Sequence, residues 1–233
     1  MSAGRKSMHL RKTVAGIILA GGTGSRFGGA MNKVYLPLRG MPVINYCINA
    51  MDAHMEIDEI VIVVKDGEQS LLDPGQLHKP CRIVTGGASR RQSVWNAINA
   101  TGADYVVIQD GARPFLKAYY ISDCLKALED YPAAAIGVRS KDTVKLAYEN
   151  QLVMRTTNRM NTWLVHTPQC FRREDLIRAH LAYDGPEPTD DCMMMEYSKM
   201  DVRLVSGDYT NIKITTRSDM KYAEHIVDEK EHI

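Results

Sequence analysis

Net charge is nearly absent from this chain: 29 basic and 28 acidic side chains in 233 residues leave a formal +1. Such a balance excludes long-range attraction to nucleic acid or to an anionic membrane, so recognition has to be local. A cysteine framework is missing as well. The five cysteines (Cys47, Cys81, Cys124, Cys170 and Cys192) are scattered and odd in number, which argues against disulfides and zinc and for reduced, cytosolic core residues. The histidines form no metal-binding cluster, and His166 reads as an ordinary half-buried histidine. No apolar run approaches the ~18 residues of a membrane span. No Pro/Ser-rich or charge-block segment marks a linker, so a single domain is expected. Basic MSAGRKSMHLRK ahead of VAGIILA has the outline of a secretory signal. The apolar run is short, however, and it opens into a glycine loop rather than a cleavage site. Residues 1–12 are therefore expected to be a disordered leader and residues 13–233 one cytoplasmic domain.

What is present is a rhythm. Near-continuous apolar runs at 14–20, 59–64, 81–85, 105–109 and 133–138 read as strands covered on both faces. Amphipathic stretches lie between them: a helix opened by Pro42 and running to about Met55, and one capped by Ser89 with Val94, Trp95 and Ile98 on its apolar face. The alternation predicts an α/β fold, a Rossmann-like, mostly parallel twisted sheet with helices on both faces. From Asp142 the rhythm changes. DTVKLAY and QLVMRTT, joined at Glu149-Asn150, read as a β-hairpin arm over about 141–159 that protrudes from the body and packs on a second subunit. Beyond it, strands are expected at 163–166, 202–205 and 211–215, and helices at 173–183, from Thr189, and capped by Ser218.

The stretch most open to chemistry is LAGGTGSRFGGAMNK, directly after the first strand. It fails the pattern of P-loop NTPases, because Lys33 follows Asn32 and precedes Val34. It fails the dinucleotide fingerprint too, because Phe27 stands at the third glycine position. Ligands of open α/β sheets bind outside the carboxyl ends of the strands, and here those ends carry GGTGSRF, GGASRRQS and DGARP, with TTNRMN, HTPQ and TNIKITT further on. Small residues, fixed cations and the single carboxylate Asp110 together describe an anion site suited to a metal-bound polyphosphate.

LAGGTGSRF with Lys33, GGASRRQSV, DGARP, TPQCF, TDD and NIKIT resemble, in order and spacing, the motifs of the sugar-alcohol-phosphate cytidylyltransferases of nucleotide-diphospho-sugar transferase type. The resemblance is strongest to the 2-C-methyl-D-erythritol 4-phosphate cytidylyltransferase family of non-mevalonate isoprenoid synthesis. It implies CTP and an alcohol phosphate as substrates, Mg²⁺ or another divalent cation, and an active homodimer whose arm reaches the neighbouring site. By the same resemblance Ala20, Gly21, Gly22 and Gly24 line the CTP site, and Gly87 and Ser93 help read the cytosine. Asp110, Gly111 and Arg113 meet ribose, metal and acceptor. Arg26 and Lys33 match the cations on the triphosphate, and Arg159 and Lys213 those on the acceptor phosphate, with Thr143 and Thr167 beside the acceptor. Asp110 is the implied metal ligand, with Asn211 second. The chain departs from the family in having Asn32 and Val34 where proline and glutamine usually flank the lysine, and Ala88 where an acidic residue is common. The segment from Phe27 to Asn32 is consequently expected to be mobile before CTP arrives. Two rivals stand beside this reading: a ribitol 5-phosphate cytidylyltransferase of cell-wall synthesis, against which TDD and the context of Arg159 lean, and a nucleotide-binding module without catalysis.

Overall fold

The computed structural model describes residues 11–22 and 32–231. Its centre is a seven-stranded sheet in the order β11-β7-β10-β6-β1-β4-β5. In chain order the strands are β1 (Val14–Leu19), β2 (Pro37–Leu38), β3 (Met41–Pro42), β4 (Glu59–Val64), β5 (Cys81–Thr85), β6 (Tyr105–Asp110), β7 (Ala133–Arg139), β8 (Lys145–Ala147), β9 (Val153–Thr156), β10 (Trp163–Arg172) and β11 (Val202–Ser206). The helices are α1 (Val43–Ala53), α2 (Arg90–Asn99), α3 (Ala118–Ala127), α4 (Arg173–Ala182), α5 (Cys192–Tyr197) and α6 (Arg217–Glu231). Parallel pairs join β5, β4, β1 and β6, and β11 to β7, while β10 runs antiparallel between β6 and β7. Only β10 opposes the common direction, so the carboxyl ends of the others share one edge.

Alternation along β1 divides the core in two. Val14, Ile18 and Ala20 face a cluster that includes Ile44, Cys47 and Met51 of α1 and Tyr120, Ile121 and Cys124 of α3. Ala15 and Ile17 face the opposite cluster, with Val94 and Ile98 of α2, Leu176 of α4 and Met194 of α5. Gly16 is where α1 comes closest, since a Cβ there would stand 2.7 Å from the Met51 sulfur. A third, smaller cluster joins Leu38, Val43 and Phe115 to Ile214 and to Ala223, Ile226 and Val227 of α6. Burying these apolar faces fixes the strand ends and, through Ile214, the segment that carries Lys213.

Several sequence expectations need correction. The run 81–85 forms a strand, but at the sheet edge, with Cys81, Arg82, Ile83 and Thr85 exposed rather than covered on both faces. The strand from Trp163 does not end at His166. It bulges between Val165 and Gln169 and continues to Arg172, so Pro168 marks a bulge and not a loop. Residues 211–215 form no strand: Asn211 and Ile214 are fully buried, and Ile214 donates its backbone N–H to the Ala112 carbonyl at 2.8 Å rather than to a ladder partner. The helix expected from Thr189 begins at Cys192, after the Asp190 carboxylate has accepted the Met193 N–H. Ser218 lies inside α6. The first turn is capped instead by Thr216 and Asp219, each accepting the other's backbone N–H through its side chain.

The hairpin is present as β8 and β9, antiparallel and exposed along its length. Arg11 and Lys12, counted with the leader from the sequence, are placed by ion pairs to Asp58 at 2.9 Å and Asp104 at 3.3 Å. The rest of that leader and the segment from Phe27 to residue 31, with the mobility expected of it, lie outside the described residues.

Candidate active site

At the shared edge a cavity of about 510 Å³ opens between the ends of β1, β4, β5 and β6. Ala20, Gly21 and Gly22 leave β1 along one wall, Lys33 follows on a short 3-10 turn, and Gly87, Ser89, Arg90 and Ser93 form the opposite wall at the start of α2. Asp110, at the end of β6, and Lys213 complete the lining, together with Lys65 at the end of β4. Among the sequence-predicted residues, Ala20, Gly21, Gly22, Lys33, Gly87, Ser93, Asp110 and Lys213 are thus brought together.

The α2 wall is shaped by local bonding. Ser89 caps the helix by accepting the Gln92 N–H at 3.2 Å, which leaves the helix start facing the cavity. The Ser93 hydroxyl accepts the Gly87 N–H at 3.0 Å and donates to the Ser89 carbonyl at 2.9 Å, closing the loop on itself. Gly87 has no room for a side chain, because a Cβ would stand 2.0 Å from Gln92 Cγ. A wall of this kind offers backbone groups at hydrogen-bond distance to a flat ligand edge.

Asp110 is the electrostatic centre. Its carboxylate lies 2.7 Å from Lys213 Nζ and 3.7 Å from Arg113 Nε. Burial alone would raise its pKa, but the charges of Lys213, Arg90 and Arg113 outweigh burial and hold it below the usual carboxylate value. Beneath the cavity the remaining predicted residues act as supports. The Asp110 N–H donates to Thr167 Oγ1 at 3.0 Å, the Gly111 N–H to the Leu19 carbonyl at 2.9 Å, and Arg113 Nη1 to the Asn211 carbonyl at 2.7 Å. Asn211 is fully buried and donates its amide to the Thr167 carbonyl at 2.9 Å. That geometry gives Asn211 a holding role rather than a place in the cavity lining. His166 sits beside this group, its pKa lowered to about 4 by burial and then by Arg113, so it carries no charge at neutral pH.

Two predicted residues stand elsewhere. Thr143 and Arg159 are both exposed; they belong to the arm and its base, and Arg159 donates to the Lys141 carbonyl at 3.4 Å rather than lining the cavity. Gly24 and Arg26 lie outside the described residues. Sequence reasoning also passed over residues that the fold recruits. Arg90, which reads as a solvated helix start, makes an ion pair at 2.8 Å with Asp191, a fully buried carboxylate. Burial opposes the Arg90 charge, yet Asp191, Asp110 and Asp190 raise its pKa; burial raises that of Asp191, against the pull of Arg90. Lys65 and Asn32 gave no motif signal of their own; the rule that strand ends bear ligands would have found Lys65.

A divalent cation has one carboxylate available in the cavity, and no group of three His, Cys, Asp or Glu side chains that could hold a metal occurs among the described residues. One carboxylate plus substrate phosphate oxygens is the donor set that Mg²⁺ commonly takes, so Asp110 fits that role.

Comparisons with known proteins identify the family. The model of the 2-C-methyl-D-erythritol 4-phosphate cytidylyltransferase family matches residues 14–229. The 2-C-methyl-D-erythritol 4-phosphate cytidylyltransferase of Caldanaerobacter subterraneus subsp. tengcongensis is 40% identical over 220 residues, covering 91% of this chain and 97% of that one. A protein of the same name from Clostridium perfringens is 38% identical, covering 92% and 98%. Among solved structures, the 4-diphosphocytidyl-2C-methyl-D-erythritol synthase of Anaerococcus prevotii superposes with a TM-score of 0.82 at 27% identity, covering 93% of this chain and 99% of that one. The 2-C-methyl-D-erythritol 4-phosphate cytidylyltransferase of Thermus thermophilus gives 0.76 at 26% identity, covering 94% and 100%. The ribitol alternative is favoured by none of these. With the family model spanning nearly the whole chain and the cavity lying where its motifs converge, the chain belongs to the 2-C-methyl-D-erythritol 4-phosphate cytidylyltransferase family and is a nucleotidyltransferase.

Proposed function

We propose that the chain transfers CMP from CTP to the phosphate of 2-C-methyl-D-erythritol 4-phosphate, releasing pyrophosphate, in cytoplasmic isoprenoid precursor synthesis. The observation that carries the site assignment is the cavity itself, with backbone walls at Gly21, Gly22 and Gly87 for a nucleoside and Lys33, Lys65 and Lys213 around one carboxylate. The acceptor phosphate is largely dianionic at neutral pH, its second pKa being about 6, so no general base is required. The barrier is the repulsion between two anions that must meet in line at the α-phosphorus. Lys33, joined by Arg26 on our reading, stabilises charge growing on the triphosphate, and Lys213 with Arg159 aims the acceptor. Asp110 would hold Mg²⁺ with the phosphate oxygens, and the ion supplies charge neutralisation when bound. Lys213 is the partner of Asp110 at 2.7 Å, so it is already directed into the cavity before an anion competes for it.

The arm enters the same reading. Tyr148, Leu152, Val153, Met154 and Met160 are 52–66% exposed, an apolar surface that a second copy of the chain would cover. That arrangement would bring Thr143 and Arg159 to the partner's cavity. Mixing Lys33→Ala with Arg159→Ala chains tests it. Random reassortment restores one whole site in half of the dimers, or about a quarter of parental turnover. No recovery beyond the two separate variants would confine each site to one chain.

The function itself is tested by pyrophosphate release with CTP and Mg²⁺, comparing 2-C-methyl-D-erythritol 4-phosphate with ribitol 5-phosphate. Faster turnover with ribitol 5-phosphate would reverse the choice of acceptor. CTP binding without release from either would favour a binding module.

A further inference from the structure

Asn32 is 6% exposed, and both donors of its amide have found acceptors. Nδ2 donates to the Ala20 carbonyl at 2.7 Å and to Glu68 Oε2 at 3.1 Å, while Oδ1 accepts the Val34 N–H at 3.4 Å. With acceptors on one side and a donor on the other, the orientation of the amide is determined. The three partners belong to three separate pieces of the cavity: the end of β1, the turn after β4, and the 3-10 turn Lys33–Tyr35.

Each piece is anchored in turn. The Ala20 N–H donates to the Val63 carbonyl at 2.7 Å, and the Glu68 N–H to the carbonyl of Lys65 at 3.0 Å. Tyr35 lies beside the same carboxylate, its hydroxyl pushed up to about 12 by burial and then by Glu68. One side chain therefore ties Ala20, at the end of β1, to the cavity-wall stretch that begins at Asn32, and the next residue is Lys33.

We propose that Asn32, held by Glu68, is a positioning residue for nucleotidyl transfer: it fixes the backbone from which Lys33 enters the cavity. A lysine reaches through a flexible four-carbon stem, so its ammonium is aimed only as well as its Cα is held. Misplacement by about 1 Å is enough to cost up to a hundredfold in rate. The proposal rests on Lys33 acting on the triphosphate, and the experiment keeps the two apart.

Turnover, KM for CTP and melting temperature are measured for the parent, Lys33→Ala, Asn32→Ala, Asn32→Asp, Glu68→Ala, Glu68→Gln and the double variant Asn32→Asp/Glu68→Gln. Asn32→Ala and Glu68→Ala should each lower kcat by about tenfold, with Glu68→Ala melting within ~3 °C of the parent. Glu68→Gln keeps an acceptor for Asn32 and should lose less than Glu68→Ala. Asn32→Asp turns a carboxylate toward Glu68 and the Ala20 carbonyl, and adding Glu68→Gln should recover part of the loss by supplying a donor. A merely structural role would move the melting temperature and leave kcat per folded enzyme unchanged. If Lys33→Ala collapses while Asn32→Ala and Glu68→Ala stay within twofold of the parent, the positioning role is overturned. Should Asn32→Ala fail to fold, the half-exposed Glu68 decides alone. Near-parental turnover in Lys33→Ala removes the reading of Lys33 and this proposal with it.

Discussion

At the carboxyl ends of β1, β4, β5 and β6, the side chains of Asn32, Ser93, Arg90 and Asp110 are each held by bonds within the same chain. On the arm, Tyr148, Leu152, Val153 and Met154 stand exposed, and β8 and β9 bond mainly to one another. The difference separates two ways of making a binding group precise. The cavity side chains are ordered by burial and by paired charge within the body of the chain. The arm has no core of its own, and a two-stranded ribbon gains definition only from what it packs against.

The strongest way to break this contrast is to unpair the cavity. Arg90→Met would leave Asp191 buried without its cation, a loss of about 3–5 kcal/mol in urea unfolding. The loss should shrink on acidification, because burial already raises the Asp191 pKa and a protonated carboxyl needs no partner. An unchanged unfolding midpoint would mean that the pair contributes nothing net. Next in size is the chemistry. Lys33→Ala or Lys213→Ala should lower turnover by about a hundredfold or more, as when one preorganised donor is removed, with the melting curve retained in Lys33→Ala. Normal turnover in either would take that lysine out of the mechanism. On the arm, Leu152→Asp with Val153→Asp should yield monomers in sedimentation and cost about tenfold in turnover. CTP affinity, which depends on the body, should be kept. A dimer that survives both charges would place the subunit interface elsewhere.

The smallest effect is a pH slope. His166 and His180 are both lowered from 6.5 to about 4, by burial first and then by Arg113 for the former and Arg91 and Arg90 for the latter. Between those values the unfolded chain binds protons that the folded chain refuses. Stability should therefore be level above about pH 6.5 and fall as pH drops toward 4. Urea midpoints for the parent and His180→Leu across that range should differ in slope, His180→Leu being flatter. Parallel curves would exclude His180 as a source.

Much of the fold could be read because strands covered on both faces advertise themselves. Val14–Leu19, Glu59–Val64 and Ala133–Arg139 are continuous apolar runs, and each is a strand near the expected bounds. The same rule misled at Cys81–Thr85, whose apolar character belongs to an exposed edge, and at 211–215. There, alternation imitates a strand in a segment held instead by its burial and by Arg113. The site was legible wherever glycine or a charged residue stands at the end of a strand, as at Gly21, Gly87 and Asp110. It was not legible at Arg90, because a charged residue at a helix start looks alike whether water or a buried carboxylate faces it. Asn32 was read only as a missing proline, since nothing in the neighbouring residues announces Ala20 and Glu68 as its partners.

By itself, the sequence determined the α/β alternation, the strand ends at which chemistry collects, and the family, because periodicity and ordered motifs are properties of neighbours along the chain. The tertiary structure decided which charges are paired, which supports lie under the cavity, and that Thr143 and Arg159 sit on an exposed arm apart from its lining. Those outcomes depend on burial and on distances between segments remote in sequence, and both are set only when the sheet and its helices close on one another.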